Sequence, residues 1–415
     1  MNNQKYYKTK QACYYTYLAM SSVFSLPPIL FVTFKEMYNI SYTLLGTLVL
    51  VNFITQLTID LIFSFFAKYF NIKKTVCFMP LLTCIGLLIY AIIPNLFPSY
   101  AYWGLLIGTI IFSTASGLCE VLLSPLVAAI PSENPDRDMS KLHSLYAYGV
   151  LSVVIISTIF LKLFGTHNWV YLTVFFAFLP LVSVFLFCAS PIPPMNLSQN
   201  SGKGNKSKKN YGLLLCILCI FFGSATENSM TNWISSYIEK SFGIDKALGD
   251  IIGMAGFAVL LGLTRTYYAK YGKKIFNILF YGMVGSVLCY LVAGLSSVPF
   301  ISITACVLTG ICTSMLWPGS LILMEENFPA LGVTAYALMA SGGDLGASVG
   351  PQLLGAAVDF VSQSDLAVKL SNTFSLTVEQ VGMRAGMIVS IIFPIIGTFV
   401  LLIIKKSFKI KLSKS

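Results

Sequence analysis

Gly117-Leu118-Cys119-Glu120-Val121-Leu122-Leu123-Ser124-Pro125 decides the reading of this chain, because its frame returns in the second half. Gly310-Ile311-Cys312 repeats the opening, Pro318 stands where Pro125 does, and Gly149 returns as Gly342 at the same spacing. A second echo pairs Ala67-Lys68-Tyr69, with Lys73-Lys74 behind it, with Ala269-Lys270-Tyr271 and Lys273-Lys274. Asn39-Ile40-Ser41 before Leu44 is matched by Gly243-Ile244-Asp245 before Leu248. Each of these is read as an outer turn, with Asn, Gly, Ser or Asp tolerating the bend and capping the next helix. Self-similarity at half the chain length predicts a duplicated bundle whose halves are related by an axis along the membrane normal.

Composition sets the solvent. Of 415 residues, 56% are hydrophobic and only 10% are charged, against roughly a quarter charged in soluble domains. The fold class expected is therefore an all-α membrane protein, because an apolar run of about 20 residues crosses the hydrocarbon as a helix. Twelve such runs are read at 12–34, 44–66, 76–93, 102–130, 142–164, 169–189, 213–238, 251–268, 275–295, 300–324, 334–360 and 383–404. Between the sixth and seventh lies a segment with Pro191, Pro193, Pro194, Gly202, Gly204 and four lysines, which reads as a flexible linker. The expected organisation is a six-helix bundle over 1–189, a cytoplasmic linker over 190–211 and a second six-helix bundle over 212–415.

Cationic loops are retained on the cytoplasmic side during insertion. With the N-terminus inside, all 27 cationic residues face inward except Lys35, Lys162, Lys240, Lys246, Lys369 and Arg384. That predicts cytoplasmic termini, and the net charge of +11 becomes a topology signal with affinity for anionic lipid heads. No basic patch is interleaved with aromatics in a polar domain, so nucleic-acid binding is rejected. Cys216-x-x-Cys219 lies inside an apolar run and reads as packing, and no phosphate loop, dinucleotide fingerprint or metal-spaced cluster is present. Neither an enzyme nor a cofactor is expected. Trp103 and Trp169, at outer ends of runs, read as interfacial anchors.

A carboxylate in mid-membrane costs roughly 2.5–3.5 kcal/mol on insertion scales, so each one retained needs a reason. Glu120 lies about ten residues into the fourth run, or about 15 Å deep, and is read as a proton carrier. Glu227 sits in Gly223-Ser224-Ala225-Thr226-Glu227-Asn228-Ser229, a polar stretch read as locally unwound and lining a cavity with Asn228 and Trp233. Gly342, Gly346 and Gly350 form a stripe for close packing, and Asp344 faces away from it toward a cavity or a buried partner. His143 titrates near neutrality and is read as sharing the proton path with Glu120. Trp317 beside Pro318 offers a flat face to a substrate ring. Asp60 and Arg265, near-equivalent in the two halves, are read as an inner gate.

Twelve helices in two repeats, a basic central linker and short basic loops after the second and eighth runs resemble the major facilitator superfamily over the whole length. Its loop motif is degenerate here: Ser64, Lys68 and Asn71 replace a glycine, an acid and a second glycine, while Lys73-Lys74 keep the basic end. Within it, Gly117–Pro125 and His143-Ser144-Leu145-Tyr146-Ala147-Tyr148-Gly149 resemble the fucose and glucose proton symporters. The resemblance implies proton coupling and sugar binding at Glu120, and a substrate-cavity position at Tyr146, where that group carries an amide. The first run offers Ser25, Pro27 and Pro28 where that group carries a carboxylate.

The function expected is secondary active transport of a small organic solute, a neutral, polar, sugar-like molecule taken up with protons by alternating access. Proton-coupled efflux of amphipathic compounds and a non-transporting sensor of the same fold are the alternatives. Expected partners are the solute, the proton and the lipid bilayer, for a monomer in a bacterial plasma membrane; lysines far outnumber arginines, as in AT-rich genomes.

Overall fold

The computed structural model describes the backbone of residues 6–66, 69–132, 135–193, 206–271, 274–327 and 333–408. Those residues are helical almost throughout. In the first half run α1 (Tyr7–Tyr38), α2 (Tyr42–Phe66), α3 (Ile72–Leu96), α4 (Ala101–Ala128), α5 (Pro135–Phe164) and α6 (Trp169–Cys188). Next come α7 (Lys206–Phe242), a one-turn helix Lys246–Leu248, a π-helical segment Gly249–Ala255, α8 (Gly256–Tyr271) and α9 (Ile275–Leu295). The last elements are α10 (Pro299–Thr313), α11 (Leu316–Asn327), α12 (Val333–Ser362), α13 (Asp365–Phe374), α14 (Val378–Ser390) and α15 (Ile392–Phe408).

Among the described residues ten helical runs are long and apolar enough to cross a membrane. The other two expected spans correspond to α5, whose apolar part is the shorter Tyr148–Phe164, and to α12, a 30-residue helix. The tenth expected run is two helices, α10 and α11. The twelfth begins earlier than expected, at Val378, and breaks at Ile391 between α14 and α15. A Thr377–Gln380 capping box starts α14, supplying the first-turn amides with partners that the apolar pattern does not reveal.

The two echoed turns fold alike. Asn39 ends α1 at φ 53° and Gly243 ends α7 at φ 63°, both left-handed. Ser41 Oγ then accepts from the amide of Leu44, and Asp245 Oδ1 from that of Ala247. Such side-chain acceptors satisfy first-turn donors that no helix can pair internally.

Residue contacts divide the chain into two units. Unit 1 comprises Met1–Ile40 and Val51–Ser198, and unit 2 comprises Ser41–Leu50 and Gln199–Ser415. The repeated glycines mark equivalent helix contacts inside each. In unit 1, a Cβ on Gly117 of α4 would stand 3.0 Å from Ile59 of α2, and one on Gly149 of α5 would stand 2.7 Å from the Leu18 carbonyl of α1. In unit 2, Gly310 of α10 meets the Phe257 carbonyl of α8 at 2.5 Å, and Gly342 of α12 meets Ile217 of α7 at 2.7 Å. Lipid is as apolar as leucine, so helices in a membrane associate through such close approaches rather than through hydrophobic exclusion. That is the physical content of the repeat. Gly346 and Gly350 continue the stripe onto α7, where their added Cβ atoms would stand 2.1 and 2.5 Å from the carbonyls of Phe221 and Ala225.

Unit 1 is filled by Met79, Leu122, Leu126, Leu142 and Phe187, and unit 2 by Leu279, Met283, Leu316 and Leu401. Trp103 is exposed, as an anchor should be, but Trp169 is not. Its ring meets Phe34 of α1 edge-on at 4.9 Å and Tyr90 of α3 at 6.3 Å, so it belongs to the core of unit 1 and the anchor expectation fails. Aromatic edges from two neighbouring helices close over it.

Candidate functional site

In unit 1, α4 carries Glu120 one turn beyond Ser116, with buried Cys119 and Leu122 beside it and its own side chain exposed. Among the described residues no hydrogen bond or ion pair holds that carboxylate. On α2, Asn52, Gln56 and Asp60 recur at four-residue spacing on one face and are all buried. Ser113 Oγ of α4 donates to Asn52 Oδ1 at 2.5 Å, and Gln56 Nε2 donates to the same oxygen at 3.1 Å. Sequence reasoning singled out Asp60 but missed Asn52 and Gln56, although amides four apart in an apolar helix are a legible polar stripe. His143 and Tyr146 fall on α5, but their side chains lie outside the described residues.

At the start of α5, Asp138 is tied to α1. It pairs with Lys10, accepts from Ser132 Oγ at 2.5 Å and accepts from the Tyr14 hydroxyl at 3.2 Å. Burial pushes its carboxyl up, but the hydrogen bonds from Lys10, Ser132 and Tyr14 and the charge of Lys10 outweigh this and hold it below its ordinary value.

In unit 2 the polar stretch of α7 is not unwound. α7 is one continuous helix of 37 residues, which overturns that expectation. Within the unbroken helix the short polar side chains back-bond, donating to the preceding turn. Thr226 donates to Phe222 O at 2.7 Å, Ser229 to Ala225 O at 2.7 Å, Thr231 to Glu227 O at 2.9 Å and Asn232 to Asn228 O at 2.9 Å. Asn228 Nδ2 donates to the Ser224 carbonyl at 3.1 Å and hydroxyl at 3.2 Å. The polar groups satisfy themselves inside the helix, leaving Glu227, Asn228 and Thr231 half-buried on one side of α7.

Glu227 is held from α8. Arg265 Nη2 lies 3.2 Å from its Oε1 and 3.4 Å from its Oε2. Arg265 Nε donates to the Ser314 carbonyl at 2.8 Å, at the break between α10 and α11. That carbonyl is free for a reason written in the sequence: its helical partner would be the amide of residue 318, which is proline and has none. Arg265, read from sequence as part of an inner gate with Asp60, is thus the ion-pair partner of Glu227. Trp317 on α11 is half-buried, and a Cβ on Gly343 of α12 would stand 2.2 Å from its ring. Asp344 is buried on α12. Trp233 is fully buried, donates from Nε1 to the Pro351 carbonyl at 3.0 Å and meets Tyr42 edge-on at 5.5 Å. Those contacts make it a packing residue of unit 2 rather than an exposed ring.

Around the start of α2 and the π-helical segment, at one end of unit 2, lies a network that sequence reasoning missed. Asp359 of α12 accepts from the amides of Tyr42 and Thr43 at 3.3 and 2.6 Å, capping α2 from another helix. The Tyr42 hydroxyl donates to Glu379 of α14 at 2.7 Å. Asp250, in the π-helical segment, accepts from Ser235 and stands 3.7 Å from Lys246, which stands 3.9 Å from Glu239. An open cleft of about 410 Å³ lies here, lined by Glu239, Lys246, Glu379 and Gln380 among others, and none of the mid-helix residues reaches it.

Membrane-crossing helices, internally repeated glycine contacts and isolated polar groups within apolar helices together define a polytopic membrane protein of transporter fold. The sequence profile of the Major Facilitator Superfamily matches residues 14–351, and the chain belongs to that family. No curated protein matches the sequence. Among solved structures, a bacterial homolog of the human lysosomal transporter Spinster, inward-facing and unoccupied, superposes with a TM-score of 0.72 at 12% identity, covering 97% of this chain and 98% of that one. A D-xylose–proton symporter gives 0.73 at 14% identity, with 94% and 97% covered. The E. coli fucose:proton symporter gives 0.58 at 13% identity, with 95% and 99% covered. At these identities the likeness is one of fold.

Proposed function

We propose that the chain is a secondary active transporter that takes up a small, polar, sugar-like solute with protons by alternating access, in a bacterial plasma membrane with both termini cytoplasmic. The observation that carries this is Glu120: an exposed carboxylate within an apolar helix, with no ion-pair partner among the described residues to hold it charged. Such a group exchanges protons with whichever side reaches it, while the polar stripe Asn52-Gln56-Asp60 and Ser113 supply hydrogen-bonding capacity inside the same unit. Glu227, Asp344 and His143 are the further proton-coupling candidates, Tyr146, Asn228 and Trp317 the cavity candidates, and Asp60 and Arg265, each within its own unit, the inner-gate candidates. The fold likeness to proton symporters of xylose and fucose supports the solute class.

The test is accumulation of labelled sugars and sugar derivatives in proteoliposomes under an imposed inward proton gradient. Accumulation above the external concentration that collapses with a protonophore is expected. Equilibration at the same level with and without the gradient overturns proton coupling, and gradient-driven extrusion of amphipathic cations turns the reading to efflux.

A further inference from the structure

Arginine presents five N–H donors in a planar fork, and a carboxylate closes it best with two parallel bonds. Around Arg265 the fork is only partly closed. The Nε side is occupied by the Ser314 carbonyl that Pro318 leaves unpaired, so an acid can approach only over the Nη1–Nη2 edge. Glu227 sits on one nitrogen of that edge, both its oxygens leaning on Nη2 at 3.2 and 3.4 Å. Those distances exceed the roughly 2.7–2.9 Å of a fully formed charge-assisted bond. Nη1, with two N–H groups, has no partner among the described residues. The Arg265 side chain is 39% exposed while that of Glu227 is 17% exposed, so the uncovered part of the pair is the cation. Asn228, next to Glu227 on α7, donates from its side-chain Nδ2 to Ser224, and its side-chain oxygen Oδ1 has no partner among the described residues.

We propose that the transported solute carries a carboxylate on a hydroxylated chain, a sugar acid or related hydroxy acid, with Arg265 Nη1 taking the carboxylate and Asn228 Oδ1 accepting from a hydroxyl. This rests on the transporter reading above and narrows its sugar-like solute to an acidic one, in place of the neutral solute expected from sequence. Glu227 then serves as the resting counter-ion of Arg265 and gives up its place when the solute's carboxylate arrives. Among the described residues Arg265 is the charged group in contact with Glu227; the other buried carboxylates on elements packed against α7 are Asp344 of α12 and Asp250 of the π-helical segment.

The experiment compares neutral sugars with their own acids, such as glucose with gluconate and galactose with galacturonate, on the full-length protein. Binding is read by thermal stabilisation and transport by counterflow in proteoliposomes. At least one acid is expected to bind about tenfold or more tighter than its neutral parent, a difference typical of one charged contact. Arg265→Gln should abolish that preference, Arg265→Lys should keep part of it because the charge remains without the fork, and Glu227→Gln should raise the preference for the acid over its neutral parent several-fold. Where Arg265→Gln does not fold, the Arg265→Lys and Glu227→Gln pair decides. A neutral sugar preferred over its acid, or a preference unmoved by these variants, overturns the acidic-solute proposal. Gradient-driven accumulation of any solute in the same vesicles reads the transporter proposal separately, so that failure of one is distinguished from failure of the other.

Discussion

Glu120 in unit 1 stands exposed on α4 with no ion-pair partner among the described residues, whereas Glu227 in unit 2 is 17% exposed and held by Arg265. Both sit within long helices, where the sequence reading made Glu120 a proton carrier and placed Glu227 in a cavity-lining stretch. Their surroundings separate them. A carboxylate without a cation has no opposite charge beside it to favour its ionised form, whereas one next to an arginine has. The comparison teaches that the two halves, duplicated in their glycine contacts, differ in charge pairing: unit 1 carries an acid without an ion-pair partner among the described residues, and unit 2 an acid set against Arg265.

The largest expected effect comes from Glu120→Gln. The amide mimics a permanently protonated acid, so gradient-driven accumulation should fall to the equilibrium level while solute exchange across the vesicle membrane persists. Unchanged accumulation would remove Glu120 from proton coupling. Next in size, Gly346→Ala would press a methyl against the Phe221 carbonyl, 2.1 Å from its built position, and force α12 away from the helix that carries Glu227. Overpacking of this kind costs about 1–3 kcal/mol and should lower the melting temperature of the detergent-solubilised protein. An equally stable variant would show that the glycine stripe is not what seats α7.

A smaller effect sharpens the unit 2 side. A double-mutant cycle of Glu227→Gln and Arg265→Gln should give a coupling of about 1 kcal/mol in stability, at the low end for contacting charges because Arg265 is partly exposed. Additive effects would mean that the two side chains are independent. The smallest expectation concerns Asp138, whose carboxyl is held below its ordinary value of 3.8. A lowered value means that its contribution is present above pH 3.8 and is lost as pH falls below that. Asp138→Asn should therefore change stability at neutral pH and lose its effect in acid, as melting curves across pH 3 to 7 would show.

The helices were legible because crossing hydrocarbon demands a local property, a continuous apolar run, and composition shows it directly. Legible too were the turns at Asn39 and Gly243 and the stripe Gly342-Gly346-Gly350, since turn geometry and close approach each require particular residue types at fixed spacing. The unwinding expected at Gly223–Ser229 was not found, because counting polar residues does not reveal that they donate to their own helix. Trp169 was read as an anchor from its place at a helix end, and only the rings of Phe34 and Tyr90 show it to be core.

The sequence by itself determined the solvent, the helices, the duplication and the family, for these rest on periodicity, composition and motif within short stretches. It also contained half of the Arg265 site: Pro318 dictates that the Ser314 carbonyl loses its helical donor. Which side chain would take that carbonyl, and that the same guanidinium would lean on Glu227, was decided only by the tertiary structure. The same holds for Asp359 capping α2. These partners are brought together by helix packing across long stretches of chain, and a charge says nothing about its partner until packing chooses the distance.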